Sequence, residues 1–203
     1  MKVDLFPTQI YRYHIDDHQP IKDRIDQHYK EFRVGNEPPD SWNCKLFTTF
    51  GTKQFPIVEC IDAFSYVFDQ FQDEARLPGN LILTDLWLNC YETTNWQDKH
   101  IHAPGQWSGI YYGHFDPNEH SGTKFYHPNE TLLACQGDEQ NTIIPWVNEG
   151  DVIIFPAWLE HSAPLNKSSK LRSTISFNFV ISDEVYEGGE FDPEKLIVDG
   201  GVS

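Results

Sequence analysis

The chain is short of basic residues: 15 Lys and Arg stand against 31 Asp and Glu, for a formal net charge of −16 over 203 residues. A surface of that sign has little with which to neutralise phosphates, which argues against nucleic acid as a partner. The excess of carboxylates reads as a solubilising surface and names no substrate. Cysteine is also scarce. Cys44, Cys60, Cys90 and Cys135 stand far apart with no Cys-x-x-Cys pair to suggest zinc or thiol exchange, so free thiols are expected. No apolar run approaches the length that spans a membrane, and the opening Met1-Lys2-Val3-Asp4-Leu5-Phe6-Pro7 lacks the apolar stretch of a secretory leader. A cytoplasmic protein without membrane attachment is the expectation. Internal repeats and low-complexity tracts are absent as well.

What the chain does have is a 39% hydrophobic content, enough for one substantial core, arranged in two styles. From Pro20 to Phe32, Ile21, Ile25, Tyr29 and Phe32 recur at helical spacing among charges, and Gly35 with Pro38-Pro39 follows as a stop. A stronger helix is expected after Pro56, where Ile57, Ile61, Phe64, Phe68 and Phe71 repeat at three- and four-residue steps as far as Leu77-Pro78-Gly79. Beyond Leu81 the pattern changes to short β-rich runs: Leu81 to Tyr91, Gln106 to His114, Thr142 to Val147, Asp151 to Phe155 and Ser173 to Ile181. Helices first and strands afterwards in one block predict a mainly β sandwich or barrel buttressed on one side by helices. One domain is expected, with residues 1–80 as helical support, 81–182 as the β core and 183–203 as an acidic tail.

Three features could carry chemistry. His100-Ile101-His102 lies between the polar stretch Glu92 to Lys99, read as a loop, and the strand beginning at Trp107. Residues two apart on an extended chain share a side, so both imidazoles can face one point and suit iron, zinc or copper. Next, the apolar strand Asp151 to Phe155 runs into Pro156 and a turn that brings His161 within a few residues, where a third ligand could join them. Lastly, Arg172, Thr174, Ser176 and Asn178 share one polar face of a strand whose other face carries Ser173, Ile175, Phe177 and Phe179. An inward-facing guanidinium needs an anion, and either a neighbouring Asp or Glu or a bound carboxylate would serve.

At these residues the sequence resembles the 2-oxoglutarate and Fe(II)-dependent oxygenase superfamily, and more narrowly a branch of oxygenases from bacteria and phages. The likeness rests on Leu5-Phe6-Pro7-Thr8-Gln9-Ile10-Tyr11, His100-x-His102 followed by Ser108-Gly109-Ile110-Tyr111-Tyr112, Phe155-Pro156-Ala157-Trp158-Leu159-Glu160-His161, and Arg172 with Ser176-Phe177-Asn178. The resemblance implies a double-stranded β-helix, a jelly roll of the cupin type. It further implies a hydroxylase that takes Fe(II) on His100, His102 and His161 and decarboxylates 2-oxoglutarate to succinate. Arg172 would bind the far carboxylate of 2-oxoglutarate, with Tyr112, Thr174 and Asn89 as further cofactor contacts. The superfamily's first motif is usually His-x-Asp or His-x-Glu. Here His102 stands where the carboxylate is expected, which leaves a three-histidine set, substitution by Asp98 or an open position as alternatives. Trp107, Trp158, Tyr91 and Tyr126 are candidate pocket walls. A cupin-type three-histidine enzyme and a jelly-roll binding module are the competing readings. A small-molecule or peptidyl substrate and a homodimer are expected partners, with the substrate itself unspecified.

Overall fold

The computed structural model describes residues 7–33, 37–51, 57–102, 104–129 and 141–182, and within 57–62 the backbone alone. The acidic tail expected from residue 183 lies outside these residues, as do Cys135 and the side chain of Cys60, while Cys44 and Cys90 are free thiols.

Among the described residues, two helices precede most of the strands. Helix α1 (Gln19–Phe32) takes Pro20 in its first turn, where a missing N–H costs nothing, and buries Ile21, Ile25 and His28 along one stripe. Helix α2 (Ile57–Ala75) buries Phe64, Val67 and Phe71 completely and ends where Arg76 turns left-handed at φ 51°.

Among the described residues the strands are β1 (Tyr11–His14), β2 (Cys44–Lys45), β3 (Phe47–Thr48), β4 (Asn80–Tyr91), β5 (Trp96–His100), β6 (Trp107–Tyr112), β7 (Lys124–Tyr126), β8 (Thr142–Ile143), β9 (Asp151–Pro156), β10 (His161–Ala163) and β11 (Arg172–Ser182). They form a six-stranded sheet, β1-β9-β6-β11-β4-β3, and a five-stranded sheet, β2-β5-β10-β7-β8, with every pairing antiparallel. This is the double-stranded β-helix arrangement that the resemblance implies.

Strand alternation sorts the side chains into two layers. Odd-numbered residues of β11, Ile175, Phe177 and Phe179, pack with Phe64, Phe71, Leu88, Tyr111 and Ile154 in a core that also takes in the buried stripe of α1. Phe177 lies so close to β6 that a Cβ on Gly109 would sit 1.9 Å from its ring, so any side chain there would force the ring to move. Even-numbered residues of β11 face the space between the sheets, where Ile110 and Tyr112 of β6, Phe125 of β7 and Ile153 and Phe155 of β9 fill one part and leave a polar cavity in another.

Two sequence expectations need correction. The polar stretch 92–99 is not all loop, because β5 occupies Trp96–His100 and pairs with both β2 and β10. The strand expected over Thr142 to Val147 is limited to Thr142–Ile143.

Candidate functional site: a three-histidine centre beside a buried arginine

The antiparallel pairing of β5 with β10 sets His100 directly opposite His161, with ring centroids 4.3 Å apart. His102 follows two residues later, held by its backbone N–H on the Ala157 carbonyl at 2.9 Å, and its ring stacks 5.0 Å from that of His161. The Nε2 atoms of His102 and His161 are 3.2 Å apart, and one nitrogen from each of the three rings lies within 4.8 Å of the others. Two nitrogens bound at near right angles to one ion, each about 2.1 Å from it, lie about 3 Å apart. The three rings therefore suit a single metal.

Hydrogen bonds select the atoms that face the centre. His100 Nδ1 lies 2.8 Å from the Asp98 carbonyl oxygen and His161 Nδ1 lies 2.9 Å from that of Leu159. A carbonyl only accepts, so each Nδ1 carries the proton and each Nε2 keeps its lone pair. Burial lowers the proton affinity of all three rings: His161 falls well below its ordinary value, His102 falls to about 3 and His100 falls too, although the Asp98 carbonyl opposes the shift there. Repulsion by the neighbouring rings adds to the effect on His161 and His102. The cluster is neutral at pH 7, the state that binds metal.

Behind the histidines, Arg172 opens β11 and is 3% exposed. Its Nη1 donates to the Ser121 carbonyl at 2.9 Å and its guanidinium lies 4.3 Å over the Tyr91 ring, but Nη2 is buried without a hydrogen bond. Among the described residues no carboxylate forms an ion pair with it. Burial lowers its proton affinity, partly opposed by Tyr91 and Tyr112, yet guanidinium remains charged. A desolvated cation without a counter-ion is costly, so this end of the cavity is built for an anion.

The other predicted contacts line the same cavity: Tyr112, Thr174 and Asn89 form one cross-strand row over β6, β11 and β4. The Tyr112 hydroxyl donates to Thr123 Oγ1 at 2.8 Å and accepts the Thr123 N–H at 3.2 Å. The Tyr91 hydroxyl donates to Gln97 Oε1 at 3.2 Å. Asn89 Nδ2 donates to Ser176 Oγ at 3.3 Å, while its Oδ1 and the Nε1 of Trp87 are buried without partners.

Several candidates fall elsewhere. The Asp98 carboxylate accepts from Asn43 Nδ2 at 2.7 Å and from the Lys99 N–H at 2.8 Å, so it turns away from the cluster and only its carbonyl takes part. Trp158 is 53% exposed. Trp107 shares the odd-numbered face of β6 and packs on Tyr11 and Phe71, and Tyr126 sits outside the cavity beside Lys99 and Lys124. Of the four aromatics, Tyr91 lines the cavity. Trp87, Gln97, Ser121 and Thr123 line it without having been singled out. Parity with Asn89 and Tyr91 was a signal for Trp87, whereas Ser121 and Thr123 lie in a stretch with no strand pattern.

A family described as "Putative 2OG-Fe(II) oxygenase" matches residues 85–178, a span that contains all three histidines and Arg172. No curated protein sequence matches the chain. Solved structures share its fold at low identity. A prolyl-4-hydroxylase of Pseudomonas putida aligns with TM-score 0.60 and 8% identity over 86% of this chain and 94% of that one. The non-heme α-ketoglutarate-dependent epimerase SnoN of nogalamycin biosynthesis gives TM-score 0.59 and 12% identity over 92% and 88%. A prolyl hydroxylase of Trichoplax adhaerens, in complex with a peptide fragment of hypoxia-inducible factor, gives 0.54 and 14% over 84% and 82%. Fold and family match together make this chain similar to the 2-oxoglutarate and Fe(II)-dependent oxygenase superfamily. Proteins of that class use Fe(II) and 2-oxoglutarate, and the three-histidine cluster could hold the metal.

Proposed function

We propose that His100, His102 and His161 hold Fe(II) through their Nε2 atoms, that Arg172 binds the far carboxylate of 2-oxoglutarate, and that the protein hydroxylates a peptidyl or small-molecule substrate. The observation that carries the reading is the unpaired Arg172 Nη2, buried in the same cavity as three neutral histidines. A dicarboxylate whose keto acid end chelates a metal answers both demands at once.

When bound, Fe(II) and 2-oxoglutarate supply the oxidative chemistry, in which the keto acid is decarboxylated to succinate as a substrate C–H bond is hydroxylated. The chain's residues do the placing. Arg172 is kept rigid by Ser121 and the face of Tyr91, and offers Nη2 to a carboxylate oxygen. Tyr112 and Thr174 border the path from the arginine to the histidines, and Tyr112 can exchange its bond to Thr123 for one to the same carboxylate. Ile110 and Trp87 wall the next row and keep bulk water from the reacting groups. Peptide and small-molecule substrates both accord with the fold, since the Trichoplax structure holds a peptide fragment and SnoN belongs to nogalamycin biosynthesis. The free thiols Cys44 and Cys90 support a cytoplasmic setting, and the whole chain is read as a single oxygenase unit.

The test is anaerobic loading with Fe(II) followed by titration with 2-oxoglutarate. We expect a visible charge-transfer band that vanishes in His161→Ala. In Arg172→Ala it should require roughly 10- to 100-fold more 2-oxoglutarate, the equivalent of a lost charge-assisted hydrogen bond. Iron bound without a band at any concentration would overturn the 2-oxoglutarate reading.

A further inference from the structure

Two supports hold the Arg172 guanidinium, the Ser121 carbonyl at 2.9 Å and the face of Tyr91 at 4.3 Å. They come from distant parts of the chain, yet both lead back to one atom, the carbonyl oxygen of Lys170, two residues before the arginine. His120, the neighbour of Ser121, reaches that oxygen with Nε2 at 3.3 Å. Asn166 Nδ2 donates to it at 3.0 Å and to the Tyr91 carbonyl at 2.8 Å. A carbonyl oxygen has two lone pairs and can take both donors.

Both residues are buried, His120 at 8% and Asn166 at 2% exposure, and both have their orientation fixed. His120 Nδ1 accepts the Asp116 N–H at 3.0 Å while its own backbone N–H donates to the Asp116 carbonyl at 2.8 Å, which closes the turn leading to Ser121. An amide N–H only donates and a carbonyl only accepts, so the ring is the neutral Nε2–H form, and burial lowers its proton affinity. Asn166 Oδ1 accepts the Ser168 N–H at 3.1 Å, which turns Nδ2 toward the two carbonyls. Lys170 also grips the turn from outside, with Nζ 3.1 Å from Asp116 Oδ2 and 2.6 Å from Glu119 Oε1. Those ion pairs are screened by solvent, so the buried imidazole is the firmer link.

We infer that His120 and Asn166, converging on the Lys170 carbonyl, are positioning residues that set the direction of the Arg172 guanidinium and leave its Nη2 free for the far carboxylate of 2-oxoglutarate, a role that rests on the proposed function of Arg172. A long flexible side chain fixed before its ligand arrives loses less freedom on binding. His120 does not line the cavity, and it acts on the ligand only through Ser121 and the arginine.

Calorimetric titration of the Co(II)-loaded protein compares 2-oxoglutarate with 2-oxopentanoate, which has the same keto acid end and no far carboxylate. Wild type should bind 2-oxoglutarate more tightly. His120→Ala should weaken 2-oxoglutarate about 3- to 10-fold, the equivalent of one net hydrogen bond, and leave 2-oxopentanoate unchanged. His120→Gln keeps a donor for the Lys170 carbonyl and should recover most of the loss. His120→Asn keeps an acceptor for the Asp116 N–H but is too short for Lys170. It removes the tie alone should the alanine variant fail to fold, and should weaken 2-oxoglutarate likewise. In nitrogen-15 NMR of the metal-free protein, the Arg172 side-chain N–H resonance should be displaced in His120→Ala and His120→Asn and restored in His120→Gln. Equal weakening of both keto acids, or an Arg172 resonance and a 2-oxoglutarate affinity that neither variant moves, would overturn the inference. Wild type that binds the two keto acids alike, with the Arg172 resonance still governed by His120, would instead overturn the far-carboxylate role and leave the positioning of Arg172 standing.

Discussion

The two faces of β11 carry nearly the same burial and opposite duties. Ile175, Phe177 and Phe179 on the helix side are at most 1% exposed and belong to the apolar core, whereas Arg172, Thr174, Ser176 and Asn178 on the cavity side are 3–9% exposed and include the unpartnered Nη2 of Arg172. Burial alone therefore says little about purpose. One face gains stability from being dry, and the other gives some up so that a ligand can complete it.

The largest expected stability effect lies on the helix side. Phe177→Ala removes a fully buried ring packed between Phe64 and Phe68 of α2 and should cost about 3–5 kcal/mol of unfolding free energy, measured by urea denaturation. A loss comparable to that of an exposed substitution would break the comparison.

Acid should act chiefly on the cavity side. His100, His102 and His161 all have lowered proton affinity in the fold, and His28 and His120 share that direction through burial. Between the ordinary histidine value of about 6.5 and each lowered value, the unfolded chain holds a proton that the folded chain refuses. Stability is thus fully present above about 6.5 and declines as pH falls toward the folded values, with about 3 marking the end of the His102 window. Each such histidine contributes up to about 1.4 kcal/mol per pH unit. Denaturation of the metal-free protein at pH 7.5 and 5.5 should show the drop, and His161→Phe should make it shallower. An equal slope in that variant would remove His161 from the account.

Much of this division was visible in the alternation of β11 and β6. Residues 172, 174, 176 and 178 separate from 173, 175, 177 and 179 by polarity, and the same parity carries Tyr112 inward and Tyr111 outward. It also condemned Trp107, whose odd number puts it with Tyr111, although its aromatic character suggested a pocket wall. Strand β5 was hidden because Gln97, Asp98 and Lys99 give no hydrophobic pattern, and its place is set by backbone pairing with β10. Ser121, which supplies the acceptor for Arg172, was unreadable for a related reason: it contributes a carbonyl, and any residue type has one.

Gly109→Ala tests how closely the two faces are coupled through one strand. The added Cβ would press on the Phe177 ring from the core side without touching the cavity, and should cost about 1–3 kcal/mol. The charge-transfer band at saturating 2-oxoglutarate should survive below the new melting point. Loss of the band in folded protein would show that the faces are not independent.

The smallest stability change should come from the residue with the greatest functional weight. Arg172→Met removes a buried cation that has no carboxylate partner among the described residues and replaces it with a flexible apolar chain of similar reach. The Ser121 carbonyl loses its donor, at a cost of about 1 kcal/mol, but the desolvated charge is also gone. The melting temperature of the metal-free variant should therefore match or exceed that of wild type. The two proteins should part company when Co(II) and 2-oxoglutarate are added, because a ligand held only by the folded state raises stability by about 2.7 kcal/mol at a hundred times its Kd. At the 2-oxoglutarate concentration that gives wild type that increment, Arg172→Met, with its Kd roughly 10- to 100-fold weaker, should gain only about 0.4–1.4 kcal/mol. If Arg172→Met instead melted as early as Phe177→Ala, the arginine would be a structural member of the core, and the contrast between the two faces of β11 would collapse.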